Sequence, residues 1–165
     1  TPPRVIVLQS GLRSLSHSAT CSPQRQHGEV TMSLDAVINE IQGSVPECVA
    51  VGVVDMSTGM LLGVRTVDSH PSEVLDLVAA ATGDLFQGDN VRTIERMFRE
   101  SRGVPEDGRS YFQEILVMSE NLLHVFQRCA RQQGIVVCIV CRNKVNLGMA
   151  LSKTRMMIPK IEAAL

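Results

Sequence analysis

The sequence predicts an α+β domain with elements in the order helix, two strands, helix, three strands, helix. Three observations carry this. In Cys48 to Val64, CVAVGVVDMSTGMLLGV, two apolar runs flank Asp55-Met56-Ser57-Thr58-Gly59, a cluster suited to a tight turn between paired strands. A second group of apolar runs follows at Glu114 to Met118, Leu122 to Cys129 and Ile135 to Cys141. Helical spacing of apolar residues precedes, separates and follows the two groups.

The first helix is read over Ser33 to Gln42. Leu34, Val37, Ile38, Ile41 and Val45 recur at helical spacing, Ser33 is a natural cap, and Asp35 suits the first turn. Gly43 and Pro46 mark its end. The strand after it shows Val49, Val51 and Val53 on one face and Cys48, Ala50, Gly52 and Val54 on the other. Neither face is polar, so both are expected to be covered, and the small residues of the second face invite close approach of a helix.

A middle helix is expected from near Ser69-His70-Pro71, with Val74, Leu77, Val78, Ala81 and Leu85 as its stripe. Ala79, Ala80 and Ala81 favour helix and lower its bulk, so the helix could pack inside the domain or against a second copy. Residues 88–110 look like an insertion. Asn90 to Glu100 has a helical pattern with Val91, Ile94, Met97 and Phe98 on one side, and Arg102 to Arg109 reads as an exposed loop. Five arginines balance five acids there, which suits a solvated face.

The second strand group is a meander with turns at Ser119-Glu120-Asn121 and Arg131 to Gly134. Its last strand, IVVCIVC, is apolar throughout and reads as central. His124 and Arg128 share a face of the preceding strand. The final helix begins at Leu147, with Leu151, Thr154, Ile158, Ile161 and Leu165 on one side and Pro159 expected to kink or restart it. Residues 1–31 are rich in Ser, Gln, Arg and Pro and read as a disordered arm, or as residues upstream of a start at Met32, leaving one domain over 32–165.

Composition narrows the function classes. The 165 residues are 44% hydrophobic but only 3% aromatic, with no Trp, so the core must be aliphatic and stacking platforms for bases are few. A net charge of −1 provides no pull toward nucleic acid, and no apolar run approaches the length of a membrane span. Val5 to Leu8 is too short for a signal-peptide core. Five cysteines, four of them in strand patterns, point to buried free thiols in a reducing cytoplasm. Cys138 and Cys141 match C-x-x-C, yet residues three apart in a strand face opposite ways, so this pair is expected to bind no metal and form no disulfide.

Chemistry-bearing motifs are missing. The sequence holds no P-loop, no G-x-G-x-x-G, no H-E-x-x-H and no G-x-S-x-G, and its four histidines are scattered. No catalytic, cofactor-binding or metal-ligating residue is named, and the expectation is a protein that is not an enzyme. Arg142, Lys144, Lys153, Arg155 and Lys160 load the C-terminal region with positive charge before Glu162. Arg142, Lys144, Lys153 and Arg155 are the candidate contacts with an acidic partner.

With this order laid out, the chain resembles the Roadblock family of dynein light-chain and GTPase-regulator type. Leu34 to Ile41, the hairpin from Val49 to Gly63 with Asp55 and Gly59 in its turn, the Ala-rich helix, EILVM and IVVCIVC carry the resemblance over residues 33–165. The insertion and the N-terminal arm depart from it. The resemblance implies a five-stranded antiparallel sheet with helices on both faces. It also implies a dimer with itself or a paralogous Roadblock subunit that extends the sheet and pairs the middle helices, placing Val78, Ala80, Ala81 and Leu85 at the interface. The role it implies is binding a Ras-like small GTPase or serving as an adaptor in a signalling or motor assembly. Two other classes stand beside it. One is a profilin-like or PAS-like small-ligand sensor, with His124 and Arg128 as inward groups, and the other is an enzyme with a dispersed site.

Overall fold

The computed structural model describes residues 32–69 and 72–165. The expected arm at 1–31, Cys21 within it, and the His70-Pro71 start of the middle helix lie outside the described residues. The elements are α1 (Leu34–Ser44), β1 (Cys48–Asp55), β2 (Met60–Thr66), α2 (Ser72–Gln87), α3 (Asp89–Arg102), β3 (Glu114–Met118), β4 (Leu122–Arg128), β5 (Ile135–Arg142) and α4 (Leu147–Ala164). The five strands form one antiparallel sheet in the order β2-β1-β5-β4-β3. Helices cover both faces, as the element order anticipates.

Local chemistry sets the boundaries. The Ser33 side chain accepts the Ala36 N–H at the start of α1, and the Asn146 side chain accepts the Met149 N–H at 2.9 Å at the start of α4. In the β1–β2 turn the Asp55 carboxylate accepts from the Ser57 N–H at 2.8 Å and its hydroxyl at 2.6 Å, and Gly59 takes the left-handed conformation with φ 71.

One face of the sheet carries α1 and α4. Val37, Ile38, Ile41, Val51, Val53, Val125, Val137, Ile139 and Ile161 are buried in a single cluster there. Gly63 of β2 lets α1 sit close: a Cβ at that position would lie 2.6 Å from Ile38 Cδ1. The other face holds a smaller cluster of Val54, Met56, Ala79, Phe86, Phe126, Val136 and Cys138 beneath α2.

Four readings of the sequence are corrected. β1 contains a bulge between Cys48 and Ala50, so Cys48 pairs with Cys141 and Ala50 with Val140. Cys48 therefore packs with the α1/α4 cluster and not on the face of Ala50 and Gly52. Pro159 does not restart α4, which runs unbroken from Leu147 to Ala164. Pro159 and Arg155, whose carbonyl loses its N–H partner, are both exposed, so water can satisfy the freed group. The expected stripe of α4 also shifts. Leu147 and Leu165 are exposed while Ala150, Thr154, Met157, Ile158 and Ile161 are buried. Finally, the helical part of the insertion is longer than Asn90 to Glu100, starting at Asp89 after Gly88 and closing on Gly103 with φ 62.

Candidate functional site

The middle helix α2 is two-faced in an informative way. Ala79, Thr82 and Phe86 are its buried side toward the sheet. Leu77 points the other way and is 70% exposed, Val74, Val78 and Leu85 flank it and are exposed too, with Val74 and Val78 also bordering the space between α2 and the sheet, and Ala80 and Ala81 lie open. The four positions expected at an interface, Val78, Ala80, Ala81 and Leu85, are therefore together on a free helix face. Helix α3 prolongs the apolar exposure through Ile94, Met97 and Phe98. Its fixed end is polar. Glu95 Oε1 accepts the N–H groups of Tyr111 (2.8 Å) and Phe112 (3.1 Å), and Phe98 stacks on Tyr111 with centroids 5.5 Å apart.

The sheet edge at β3 is also open. Leu116, Val117 and Met118 are exposed, and they alternate between the two faces of the strand. An apolar edge without inward-pointing charge is a template for another strand.

The basic residues do not form one patch. Arg142 and Lys144 share Glu47, at 3.6 and 3.3 Å. Arg155 grips Glu114 through two bonds of 3.0 and 2.8 Å, which raise its already high pKa. Lys160 pairs with Glu40. Lys153 is half-buried on α4. A charge-rich sequence stretch is thus largely neutralised by carboxylates from other parts of the chain.

His124 and Arg128, the inward groups of the sensor reading, go separate ways. His124 Nδ1 lies 3.3 Å from the Val117 carbonyl oxygen. Arg128 is only 3% exposed and donates to the carbonyls of Phe112 (3.2 Å), Phe86 (3.3 Å) and Gln133. Its guanidinium lies over the Phe86 ring, 5.0 Å from the centroid, and burial pulls its pKa below the ordinary value. Arg128 is a strut holding α2, β4 and two loops together. His124 instead borders a cavity of about 360 Å³ between α2 and the sheet, walled by Ala50, Gly52, Val64, Val78 and Val140, with Thr66, Asp68 and Arg142 also on its lining. The small residues of β1 do not draw α2 down onto the sheet. They leave this space, and Leu61 reaches over Gly52.

Titration behaviour reads as architecture. Asp55 is held below the usual carboxylate range by Ser57, and Asp107 by the Arg109 N–H and then Arg99. Burial pushes the Cys129 and Cys138 thiols up to about 12, where they are inert at neutral pH. Among the described residues no group of three potential ligands could hold a metal ion.

No protein-family model matches the chain, and no curated protein matches it. Solved structures do. A Roadblock/LC7 domain from Streptomyces avermitilis superposes with a TM-score of 0.56 over 79% of this chain and 96% of its own, at 14% identity. The fold is the Roadblock fold. MglB of Myxococcus xanthus gives a TM-score of 0.58 over 78% of this chain and 90% of that one, at 13% identity. The gliding protein MglB of Thermus thermophilus gives 0.59 over 78% and 85%, at 14% identity. At such identities the likeness is one of Roadblock architecture, and no residue role travels with it. No helix of the described residues is long and apolar enough to cross a membrane.

Proposed function

We propose that this chain is a non-enzymatic Roadblock-type subunit that dimerises and, as a dimer in the cytoplasm, binds and regulates a Ras-like small GTPase or joins a larger signalling or motor assembly. The observation that carries the proposal is the exposed apolar stripe of α2, Val74, Leu77, Val78 and Leu85, which the packing of α2 on its own sheet leaves uncovered. The apolar β3 edge supports the same assembly, because a second β3 would continue the sheet while the two α2 helices meet over it. One of the similar structures bears the description MglB with tetrameric arrangement, so self-association has a precedent on this fold.

Regulation without a catalytic residue is physically sufficient. A partner that prefers one switch conformation shifts its population by the difference in affinity, about 1.4 kcal/mol for each tenfold. Lys153 and Arg155 are the proposed contacts, and the chain itself is expected to hydrolyse no nucleotide. Light scattering should give twice the monomer mass, and Ala81→Glu should halve it by burying an unpaired charge. A pull-down from the native organism, followed by exchange and hydrolysis assays on any GTPase recovered, tests the partner. Charge reversal at Lys153 and Arg155 should weaken that complex and flatten its salt dependence.

The 360 Å³ cavity favours a second reading, a sensor for a small apolar ligand. Native mass spectrometry of the purified protein separates the two. A tightly bound small molecule, with no GTPase recovered, would replace the first reading by the second.

A further inference from the structure

The bulge in β1 has a chemical outcome that C-x-x-C spacing conceals. It turns Cys48 to the α1/α4 face, directly opposite Cys141 on β5. The Arg142 N–H donates to the Glu47 carbonyl at 3.0 Å, so the hydrogen bond brackets the Cys48/Cys141 pair instead of joining it. Such non-hydrogen-bonded pairs are the closer type in an antiparallel ladder, with Cα atoms about 4.5 Å apart. Disulfides span Cα separations of about 4.4–6.8 Å, so the strand register already holds the two Cα atoms in range.

We propose that Cys48 and Cys141 form an oxidisable dithiol, a modification site that closes to a cross-strand disulfide under peroxide. Both cysteines are free in the structure. Cys48 is only half-buried and Cys141 is fully buried, so a peroxide meets Cys48 first. The Cys48 thiol donates to the Ala50 carbonyl at 3.4 Å. The proximity of the two thiols raises the pKa of Cys48 and lowers that of Cys141. Peroxide converts the Cys48 thiol to a sulfenic acid and leaves as water. The Cys141 sulfur then attacks the Cys48 sulfur, and its proton departs with the hydroxyl as a second water. In total two S–H bonds break, one S–S bond forms, and one peroxide becomes two waters.

Cys129 and Cys138 stay out of this chemistry. Both are buried where Cys48 is only half-buried, Cys138 faces Gly52 and Phe126 across the sheet and no cysteine, and it lies on the opposite face of β5 from Cys141. The cross-link would also tie down the strand ends that carry Glu47 and its two cations, Arg142 and Lys144.

The test uses the full chain. It is reduced, treated with hydrogen peroxide under native conditions, alkylated after denaturation and mapped by peptide mass spectrometry. The expected product has lost two hydrogens and two alkylation sites, with the peptides of Cys48 and Cys141 joined. Cys48→Ser should fold, keep its melting temperature within a few degrees, and give no cross-link. Recovery of Cys48 and Cys141 both alkylated, or of Cys48 over-oxidised beside a reduced Cys141, would overturn the proposal. A product in which Cys48 or Cys141 is joined to another cysteine would do the same.

Discussion

The two faces of the sheet are built to different standards of closure. On the α1/α4 face, side chains from two helices and three strands bury one another, and Val51, Val53, Ile41, Ile139 and Ile161 have no exposure. On the α2/α3 face the buried cluster is smaller, a cavity remains above Ala50 and Gly52, and the outward sides of α2 and α3 are apolar. Burial of a Leu or Val side chain is worth about 1.5–3 kcal/mol, so leaving such a stripe in water is costly unless something else covers it. The difference teaches that the chain completes one layer by itself and leaves the other open.

Substitutions can sharpen or break that contrast. Ile139→Ala, at the centre of the closed face, should cost about 2–5 kcal/mol in denaturant unfolding; a loss under about 1 kcal/mol would mean that this face is looser than its burial implies. Arg128→Met, on the open face, should cost about 1–3 kcal/mol because the carbonyls of Phe112, Phe86 and Gln133 lose their donor. A neutral result in the same assay would show that water reaches them. Gly63→Val drives new atoms into Ile38 and should cost about 1–3 kcal/mol by overpacking between β2 and α1.

Leu77→Ser probes the open face from outside. Introduced into the monomeric Ala81→Glu background, it should change unfolding free energy by no more than about 0.5 kcal/mol. In the otherwise native chain it should raise the dimer dissociation constant, measured by dilution in analytical ultracentrifugation. If the monomeric background suffers a large loss instead, α2 packs its stripe internally and the contrast between the faces collapses.

The smallest effect concerns pH. The folded pKa of Asp55 lies below its unfolded value of about 3.9, so its contribution is present above that pH and is lost as pH falls through the folded value. The Asp55 carboxylate is accessible to water, so solvent screens the gain. Asp55→Ala should therefore lower stability slightly near neutrality and flatten the acid limb below about pH 4, with the two proteins converging at the acid end, in melts taken from neutrality down.

Much of the architecture is legible in the residues. Alternation and turn chemistry locate all five strands, and the Ser33 cap and the spacing of Val37, Ile38 and Ile41 place α1. The outward side of α2 is legible as a stripe but not in direction, because periodicity says that residues share a face and not what the face meets. The β1 bulge is hidden for a related reason. Both faces of CVAVGVVD are apolar, so a one-residue slip leaves no polar residue misplaced to betray it. Simple alternation therefore puts Cys48 on the wrong face and conceals its pairing with Cys141. The basic C-terminal stretch misleads in the opposite way, since its neutralising acids Glu40, Glu47 and Glu114 are far off in sequence. Arg128 carries no sequence signal of its role as a strut, which depends on three carbonyls from separate segments.

The strand order has a kinetic corollary. β1 and β2 form one local hairpin and β3, β4 and β5 one local meander, and in the sheet these halves are joined strand to strand along the β1–β5 seam, where Val53 faces Val137. Hairpins form early and cheaply, whereas a seam between distant segments must wait for a long loop to close, so docking of the two halves is the slow step expected in folding. The chain that closes that loop runs through α2 and α3. Because closure entropy grows only by about 0.6 kcal/mol for each doubling of loop length, the α3 segment could be extended or shortened with little thermodynamic consequence. The α3 segment thus sits where polymer statistics tolerate a change of length, outside the seam that joins the two halves of the sheet.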